Sequence, residues 1–200
     1  MPELIAILRG ITTDESLEIV ESIVEAGITK IEVPLNSPSP FKTIERIQKA
    51  YGDVALIGAG TVLSISEVNE LDRIGARLVV SPNSNPEVIR RSKELGMFSF
   101  PGVYTATECF SALDAGADGL KFFPASTLGI DGLKALKAVL PIDTATYAVG
   151  GVDLPDFEKW LSAGITGFGL GSSLYKPGRS ASEVYAIASN MVAEFNRVSK

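Results

Sequence analysis

The amino-acid sequence predicts an α/β fold, a closed (β/α)8 TIM barrel that forms a single domain over residues 1–200. Two observations support this prediction. Eight short apolar runs alternate with eight amphipathic stretches, and this unit returns about every 20–25 residues. No linker or low-complexity segment interrupts the series, and apolar residues make up 46% of the 200-residue chain, which is enough to form one buried core.

The apolar runs predict eight strands. Each run is short and consists mainly of Val, Ile, Leu or Phe, the composition of strands that are buried on both faces. The predicted strands cover residues 4–8, 30–35, 55–60, 77–81, 98–103, 119–123, 146–149 and 167–170.

The stretches between the strands predict helices. In the first, Leu17, Val20 and Val24 recur at helical spacing behind a Thr-Thr-Asp start at 12–14, which we expect to cap the helix. Most of the helices end in glycine, where a left-handed cap is expected; these glycines are Gly27, Gly75, Gly96, Gly116 and Gly164. The predicted helices cover residues 14–26, 40–50, 66–74, 86–95, 106–115, 130–139, 155–163 and 181–197.

An open doubly wound sheet shows the same alternation of strands and helices. That fold normally has a GxGxxG turn after its first strand, whereas this chain has Leu8-Arg9-Gly10-Ile11 there, with one glycine. The barrel is therefore favoured. The chain is shorter than the ~250 residues typical of such barrels, so its loops must be short.

Composition and charge exclude several classes of function. The chain has 18 Lys and Arg against 24 Asp and Glu, and a net charge of −6 argues against a nucleic-acid partner. It has no histidine, and Cys109 is its single cysteine, which removes His-dependent triads, intrachain disulfides and nearly all catalytic zinc sites. We therefore expect no metal and no cofactor. The apolar run at 4–8 is too short for a signal peptide or a membrane span, so we expect a cytoplasmic protein without membrane contact.

Candidate functional residues lie at the strand ends, because (β/α)8 barrels carry their chemistry at the C-terminal ends of the strands. The most informative is Lys121. The two-residue period of a strand directs Leu120 and Phe122 toward the helices and Lys121 toward the interior, where burial lowers the pKa of the ammonium. A neutral lysine can attack a carbonyl to form an imine. The alternative is a rim lysine that reaches water or pairs with an acid.

Three further polar residues follow or lie within other strands: Arg9, Glu32 and Thr61. Glu32 can be the counter-ion of Lys121, or a base whose pKa is raised by burial. Near the C-terminus, Gly150-Gly151 and Gly169-Leu170-Gly171-Ser172 end the last two strands. They are either ordinary turns or a cradle of backbone N–H groups for phosphate, which barrels of this kind often bind after strands seven and eight.

A set of motifs at these strand ends resembles a known family. The motifs are Leu8-Arg9-Gly10, Glu32-Val33-Pro34-Leu35-Asn36-Ser37, Gly58-Ala59-Gly60-Thr61-Val62, Ser81-Pro82-Asn83, Leu120-Lys121-Phe122-Phe123-Pro124 and Ala148-Val149-Gly150-Gly151. In order and spacing they are similar to those of the 2-keto-3-deoxy-6-phosphogluconate/6-phosphogalactonate (KDPG/KDPGal) aldolases. The match runs from about residue 4 to residue 175, and the ordered set is specific although each motif alone is weak.

The resemblance implies a metal-free class I aldolase, which is a lyase, with a (β/α)8 barrel and a homotrimeric assembly. Its partners are then small molecules: a phosphorylated 2-keto-3-deoxy sugar acid, pyruvate and glyceraldehyde 3-phosphate. The resemblance also implies a role for each matching residue. Lys121 forms the Schiff base and Glu32 moves protons, Arg9 and Thr61 hold the pyruvate portion, and the phosphate is held by Gly151, Gly171 and Ser172.

Two features resemble the galactonate branch of the family. Pro34-Leu35-Asn36-Ser37 replaces a Thr-Leu-Arg-Thr-like run of the gluconate enzymes, and the arginine lies in Leu8-Arg9-Gly10 at the end of the first strand. Val149 is a further departure, because the gluconate branch often has threonine there. The implied substrate is 2-dehydro-3-deoxy-6-phosphogalactonate. The alternatives are the gluconate epimer or 4-hydroxy-2-oxoglutarate, a barrel isomerase or epimerase without an imine, and a non-catalytic sugar-phosphate-binding barrel.

Overall fold

The computed structural model describes residues 3–199; Met1, Pro2 and Lys200, the ends of the predicted domain, lie outside the described residues. The strands are β1 (Leu4–Ile7), β2 (Lys30–Pro34), β3 (Leu56–Gly60), β4 (Leu78–Val80), β5 (Phe98–Phe100), β6 (Gly102–Val103), β7 (Leu120–Phe122), β8 (Thr146–Val149) and β9 (Gly167–Leu170). The helices are α1 (Ser16–Glu25), α2 (Pro40–Tyr51), α3 (Ile65–Arg73), α4 (Pro86–Glu94), α5 (Ala106–Asp114), α6 (Ala125–Lys137), α7 (Phe157–Ser162) and α8 (Ala181–Val198). A 3₁₀ turn, Leu154–Asp156, precedes α7.

All strand pairs are parallel, in the order β5-β4-β3-β2-β1-β9-β8-β7-β6, so the predicted barrel is confirmed. One prediction was wrong in detail, because the run at 98–103 is two strands separated by Pro101. A proline has no N–H to donate. The carbonyl of Phe100 accepts from Ser81 N at 3.2 Å and that of Pro101 from Lys121 N at 2.9 Å. The bend therefore lets β5 pair with β4 and β6 with β7, which closes the barrel.

Successive residues of each strand face opposite layers. On β1, Leu4 and Ala6 belong to the core between the strands and the helices, whereas Ile5 and Ile7 belong to a second core inside the barrel. At the N-terminal end of the interior, Glu3 accepts hydrogen bonds from Lys30 Nζ at 2.5 Å and from the Tyr147 hydroxyl at 2.7 Å. In the described residues, the interior below the C-terminal strand ends is thus lined by apolar side chains and by this polar cluster at the N-terminal end.

The helix ends differ from the prediction in three places. The first helix begins at Ser16, and its Thr-Thr-Asp start does not cap it; instead the Glu15 carboxylate accepts from both the N–H and the hydroxyl of Thr12. α6 begins at Ala125 rather than at residue 130, because a short first turn precedes a kink at Gly129. The helix predicted at 155–163 is divided between the 3₁₀ turn and α7.

The glycine caps are confirmed. Each of the five glycines predicted to end a helix has a positive φ, between 72° and 101°. Within residues 3–199, no helix is long and apolar enough to cross a lipid bilayer.

Candidate active site

A cavity of about 620 Å³ opens among the C-terminal ends of the strands. Every site residue that the sequence predicts lines this one cavity: Arg9, Glu32, Thr61, Lys121, Gly151, Gly171 and Ser172. These residues come from the ends of different strands, so only the closed barrel brings them together. Their common location is what the barrel prediction requires.

Lys121 lies in the middle of β7 with its amine toward the cavity. Its neighbours Leu120 and Phe122 are fully buried toward the helices, as the strand period predicts. Lys121 itself is 8% exposed, and its Nζ lies 4.9 Å from the centre of the Phe123 ring. Burial lowers the pKa of the Lys121 ammonium, the charge of Glu32 opposes this shift, and the charge of Arg9 adds to it. The neutral amine is therefore more populated near neutral pH than in a surface lysine.

Glu32 lies on β2 and is 2% exposed. Burial raises the pKa of its carboxyl to about 7, although the charges of Lys121 and Arg9 pull in the opposite direction. Its Oε2 has no hydrogen-bond partner among residues 3–199. A buried acceptor without a partner is uncommon and costly. A carboxyl that titrates near pH 7 and has a free oxygen is suited to accept and return a proton.

Gly60 makes the room that the Glu32 carboxylate occupies. It is the last residue of β3, next to β2, and a Cβ on Gly60 would lie 1.8 Å from Oε2 of Glu32. Such a distance is a severe overlap, so only glycine fits opposite the carboxylate in its observed position. From the sequence, Gly60 is only part of a family motif, because the side chain that it faces comes from another strand.

Thr61 follows Gly60 and has a φ of 59°. The left-handed region is strongly disfavoured for a β-branched residue and is typical of strained functional sites. Thr61 lines the cavity in this conformation. Residue type and position at a strand end drew attention to Thr61, but no sequence pattern indicates its strained backbone.

Arg9 is exposed at the mouth of the barrel, where its Nη1 donates a hydrogen bond to Oδ1 of Asn36. Next to it, the N–H of Gly10 donates to the Ser37 hydroxyl at 3.0 Å. These two bonds join the loop after β1 to the loop after β2. The run at 34–37, noted above as a departure from one branch of the family, therefore positions the arginine.

The loops after β8 and β9 differ in whether their conformation and packing require glycine. Gly150 and Gly151 have φ values of 91° and 72°, and a Cβ on Gly151 would lie 2.3 Å from the Ser126 hydroxyl. The carbonyl of Gly150 accepts from Ser126 N at 3.0 Å, which fixes this turn against the start of α6. At Gly171, by contrast, a Cβ would meet no protein atom within 4 Å. The fold requires glycine at 151, whereas Gly171 leaves an open stretch of cavity wall.

Three charged residues of the cavity were not predicted from the sequence: Asp153, Lys176 and Arg179. Among the lining residues four are basic and two are acidic. The basic residues are Arg9, Lys121, Lys176 and Arg179, and the acidic residues are Glu32 and Asp153. The cavity thus attracts anions although the whole chain is negative. Lys176 and Arg179 lie between β9 and α8, directly after the predicted phosphate loop, and this position was the signal that could have found them.

Comparisons with known proteins give one consistent result. The sequence profile of a family described as KDPG and KHG aldolase matches residues 2–188. The chain is 51% identical over 195 residues, 98% of this chain and 92% of the relative, to the probable 2-dehydro-3-deoxy-6-phosphogalactonate aldolase of Rhizobium meliloti (strain 1021). It is 54% identical over 177 residues, 88% of this chain and 86% of the relative, to the 2-dehydro-3-deoxy-6-phosphogalactonate aldolase of Escherichia coli (strain K12).

A solved structure described as native KDPGal superimposes with a TM-score of 0.96. The two sequences are 50% identical, and the match covers 98% of this chain and 95% of the other.

Replacing Gly60 with alanine is expected to displace the Glu32 carboxylate, because the new Cβ overlaps Oε2. The carboxylate then leaves its buried position, and the pKa of Glu32 should fall from about 7 toward the usual range of a carboxyl group. A titration of the ¹³C-labelled Glu32 carboxyl by NMR measures this change.

Gly58→Ala is the matched control, because it adds the same methyl group to the same strand. There the Cβ would lie 1.8 Å from the backbone oxygen of Leu78 rather than from a movable side chain. We expect Gly58→Ala to lower the free energy of unfolding by about 1–3 kcal/mol, and Gly60→Ala to lower it less. An unchanged titration of Glu32 in the Gly60 variant would contradict the role assigned to Gly60.

Proposed function

The chain belongs to the KDPG and KHG aldolase family, and on that premise we propose that it cleaves 2-dehydro-3-deoxy-6-phosphogalactonate to pyruvate and D-glyceraldehyde 3-phosphate. The observation that carries the proposal is the buried amine of Lys121, whose pKa is lowered in a cavity shared with Glu32. The names of the two relatives that are 51% and 54% identical support the choice of substrate.

The reaction begins with the neutral amine of Lys121. It attacks the C2 ketone of the substrate to give a carbinolamine, which loses water to form an imine, and uptake of one proton gives the protonated imine. The positive imine then serves as the electron sink for the cleavage step. The lowered pKa of Lys121 supports this step, since only the unprotonated amine is a nucleophile.

Glu32 then accepts the proton of the C4 hydroxyl as the C3–C4 bond breaks. The bonding electrons pass to the imine and give an enamine, while C4 becomes the aldehyde of glyceraldehyde 3-phosphate. Protonation of the enamine at C3 by the Glu32 carboxylic acid, followed by hydrolysis, releases pyruvate and restores Lys121. A carboxyl with a pKa of about 7 is suited to both directions of this proton transfer.

Arg9 and Thr61 are proposed to hold the carboxylate of the pyruvate portion. A guanidinium suits a carboxylate because its N–H groups form a planar fork. Gly151, Gly171 and Ser172 are proposed to hold the phosphate through backbone N–H groups and one hydroxyl. All five residues line the cavity that contains Lys121, which supports this assignment.

The second candidate is cleavage of the gluconate epimer by the same chemistry. The run at 34–37, whose Asn36 accepts a hydrogen bond from Arg9 at the cavity, resembles the galactonate branch and favours the galactonate substrate. We expect a higher kcat/KM for 2-dehydro-3-deoxy-6-phosphogalactonate than for its C4 epimer, with pyruvate release as the assay. A higher value for the gluconate epimer would replace the proposed substrate and leave the imine mechanism unaffected.

The proposal includes a homotrimer and a cytoplasmic location. Exposed apolar side chains support an assembly; they are Leu63 and Ile65 after β3, Tyr104 after β6 and Phe110 on α5. Exposed apolar side chains of this size are typical of interfaces between subunits. Light scattering tests the assembly against a mass of three times 21.2 kDa, and cell fractionation tests the location.

Borohydride trapping tests the imine. Sodium borohydride added with pyruvate should reduce the imine to a stable amine, so that a pyruvate-derived mass appears on the peptide that contains Lys121. Lys121→Ala should lose the label and nearly all cleavage while it remains folded. Lys134 is an exposed lysine on α6, and Lys134→Ala should keep both the label and the cleavage activity. More than a few per cent of wild-type cleavage in Lys121→Ala would rule out the mechanism.

Replacing Glu32 with glutamine removes the proton acceptor while preserving its shape. We expect kcat to fall about 10²–10⁴-fold with a much smaller change in KM, as is typical for a general acid–base group. Wild-type kcat/KM should rise with pH through an inflection near 7, where Glu32 becomes ionised. The variant should lose this inflection, and an effect on KM alone would make Glu32 a binding residue instead.

A further inference from the structure

We propose that Lys176 and Arg179 determine the preference of this chain for a phosphorylated substrate over the corresponding unphosphorylated sugar acid. This inference rests on the proposed function, since it assigns a further part of the same cavity. Neither residue belongs to the motifs that carried the family resemblance. Both line the cavity beside the loop of Gly171 and Ser172.

The two residues are carried by a strap, residues 171–180, which joins β9 to α8. The strap begins with a turn in which the carbonyl of Gly171 accepts from Leu174 N and Tyr175 N. A second turn follows, in which the carbonyl of Lys176 accepts from Arg179 N at 3.1 Å. This second turn holds Lys176 and Arg179 close together at the cavity.

The far side of the strap packs against the loop after β1. A Cβ on Gly10 would lie 2.9 Å from Cγ of Pro177, so only glycine allows this close approach. The strap therefore runs along the rim of the barrel, from the end of β9 to the residue that follows Arg9 at the end of the neighbouring strand β1. The backbone that carries the two basic residues is thus held against the barrel by the turn at Gly171 and by the contact of Pro177 with Gly10.

Arg179 is bonded directly to the loop that we propose as the phosphate cradle. Its Nη1 donates to the carbonyl of Ser173 at 2.7 Å and to that of Ser172 at 3.3 Å. A guanidinium carries five N–H donors in a fixed fork, and both bonds use Nη1. Arg179 can therefore hold the loop and a phosphate oxygen at the same time.

The nearby carboxylates, Asp153 and Glu183, form no ion pair with either cation within residues 3–199, although the charge of Arg179 adds to the hydrogen bonds from Ser180 that lower the pKa of Glu183. Asp153 lines the same cavity, but its Oδ1 accepts from Leu154 N at 2.8 Å, and Glu183 accepts from Ser180 N at 2.8 Å. In the described part of the chain, the ion pairs involve other residues than Lys176 and Arg179. Their charges are thus available to an anionic ligand.

Charge is what separates phosphate from hydroxyl at this position. Backbone N–H groups and the Ser172 hydroxyl can bond an oxygen of either group. A phosphate monoester carries between one and two negative charges near neutral pH, and hydrogen bonds between charged partners are roughly twice as strong as neutral ones. Two cations beside the cradle favour the phosphorylated substrate strongly and give an uncharged hydroxyl little advantage.

The test is the ratio of kcat/KM for 2-dehydro-3-deoxy-6-phosphogalactonate to kcat/KM for unphosphorylated 2-dehydro-3-deoxygalactonate. We expect Lys176→Ala and Arg179→Ala each to lower this ratio by about tenfold or more, as loss of a charge-assisted hydrogen bond would. Lys176→Arg keeps the positive charge and should retain most of the wild-type ratio. Lys134→Ala removes an exposed lysine of α6 and should leave the ratio unchanged.

Arg179→Lys distinguishes the charge of Arg179 from its hydrogen bonds to the loop. The variant keeps the positive charge but lacks the guanidinium that bonds the carbonyls of Ser172 and Ser173. A kcat/KM ratio near that of the wild type then assigns the substrate preference to charge. An equal fall of kcat/KM for both substrates in Lys176→Ala and Arg179→Ala would overturn the inference, because the strap would then support the barrel mouth as a whole.

A binding measurement separates this inference from the proposed function. Titration calorimetry with inorganic phosphate does not require turnover. Weaker phosphate binding by Lys176→Ala and Arg179→Ala than by wild type and Lys134→Ala supports the inference even if the wild type cleaves neither substrate. Unchanged phosphate binding together with an unchanged kcat/KM ratio would overturn it, whatever the outcome of the borohydride experiment.

Discussion

The burial of two opposite charges at the top of an apolar barrel is the constraint on which the site depends. Lys121 and Glu32 are 8% and 2% exposed. Desolvation lowers the pKa of Lys121 and raises the pKa of Glu32, so it favours the neutral form of each residue. An apolar interior stabilises the neutral forms, which are the amine that attacks and the acid that returns a proton. The apolar side chains below this pair, Ile5 and Ile7 among them, therefore contribute to the chemistry as well as to the core.

Glycines allow segments from different strands and loops to approach closely around the cavity. Gly60 gives the Glu32 carboxylate its space, Gly151 allows the β8 turn to lie against Ser126, and Gly10 admits Pro177 of the strap. In each case the neighbour comes from a different strand or loop. The absence of a side chain at these glycines thus shapes the cavity as much as the side chains of other residues do. It allows loops from separate βα units to meet around the cavity.

Charge is distributed unevenly in this molecule. The chain carries a net charge of −6, whereas the cavity is lined by four basic and two acidic residues. Acidic residues elsewhere cap helices, as Glu67 and Glu183 do at α3 and α8. The negative outer surface and the positive cavity are therefore compatible, and net charge alone gives no information about the charge of the ligand.

The sequence by itself determined the barrel, its strands, the five glycine caps and the set of residues at the strand ends, because these follow from local period and residue type. It also indicated that Lys121 faces inward, since strand alternation is a local property. It did not determine the bend at Pro101, the kink at Gly129, the tether between Arg9 and Asn36, or the place of Lys176 and Arg179. Those features depend on which distant segments meet when the barrel closes, and only the tertiary structure decides such contacts.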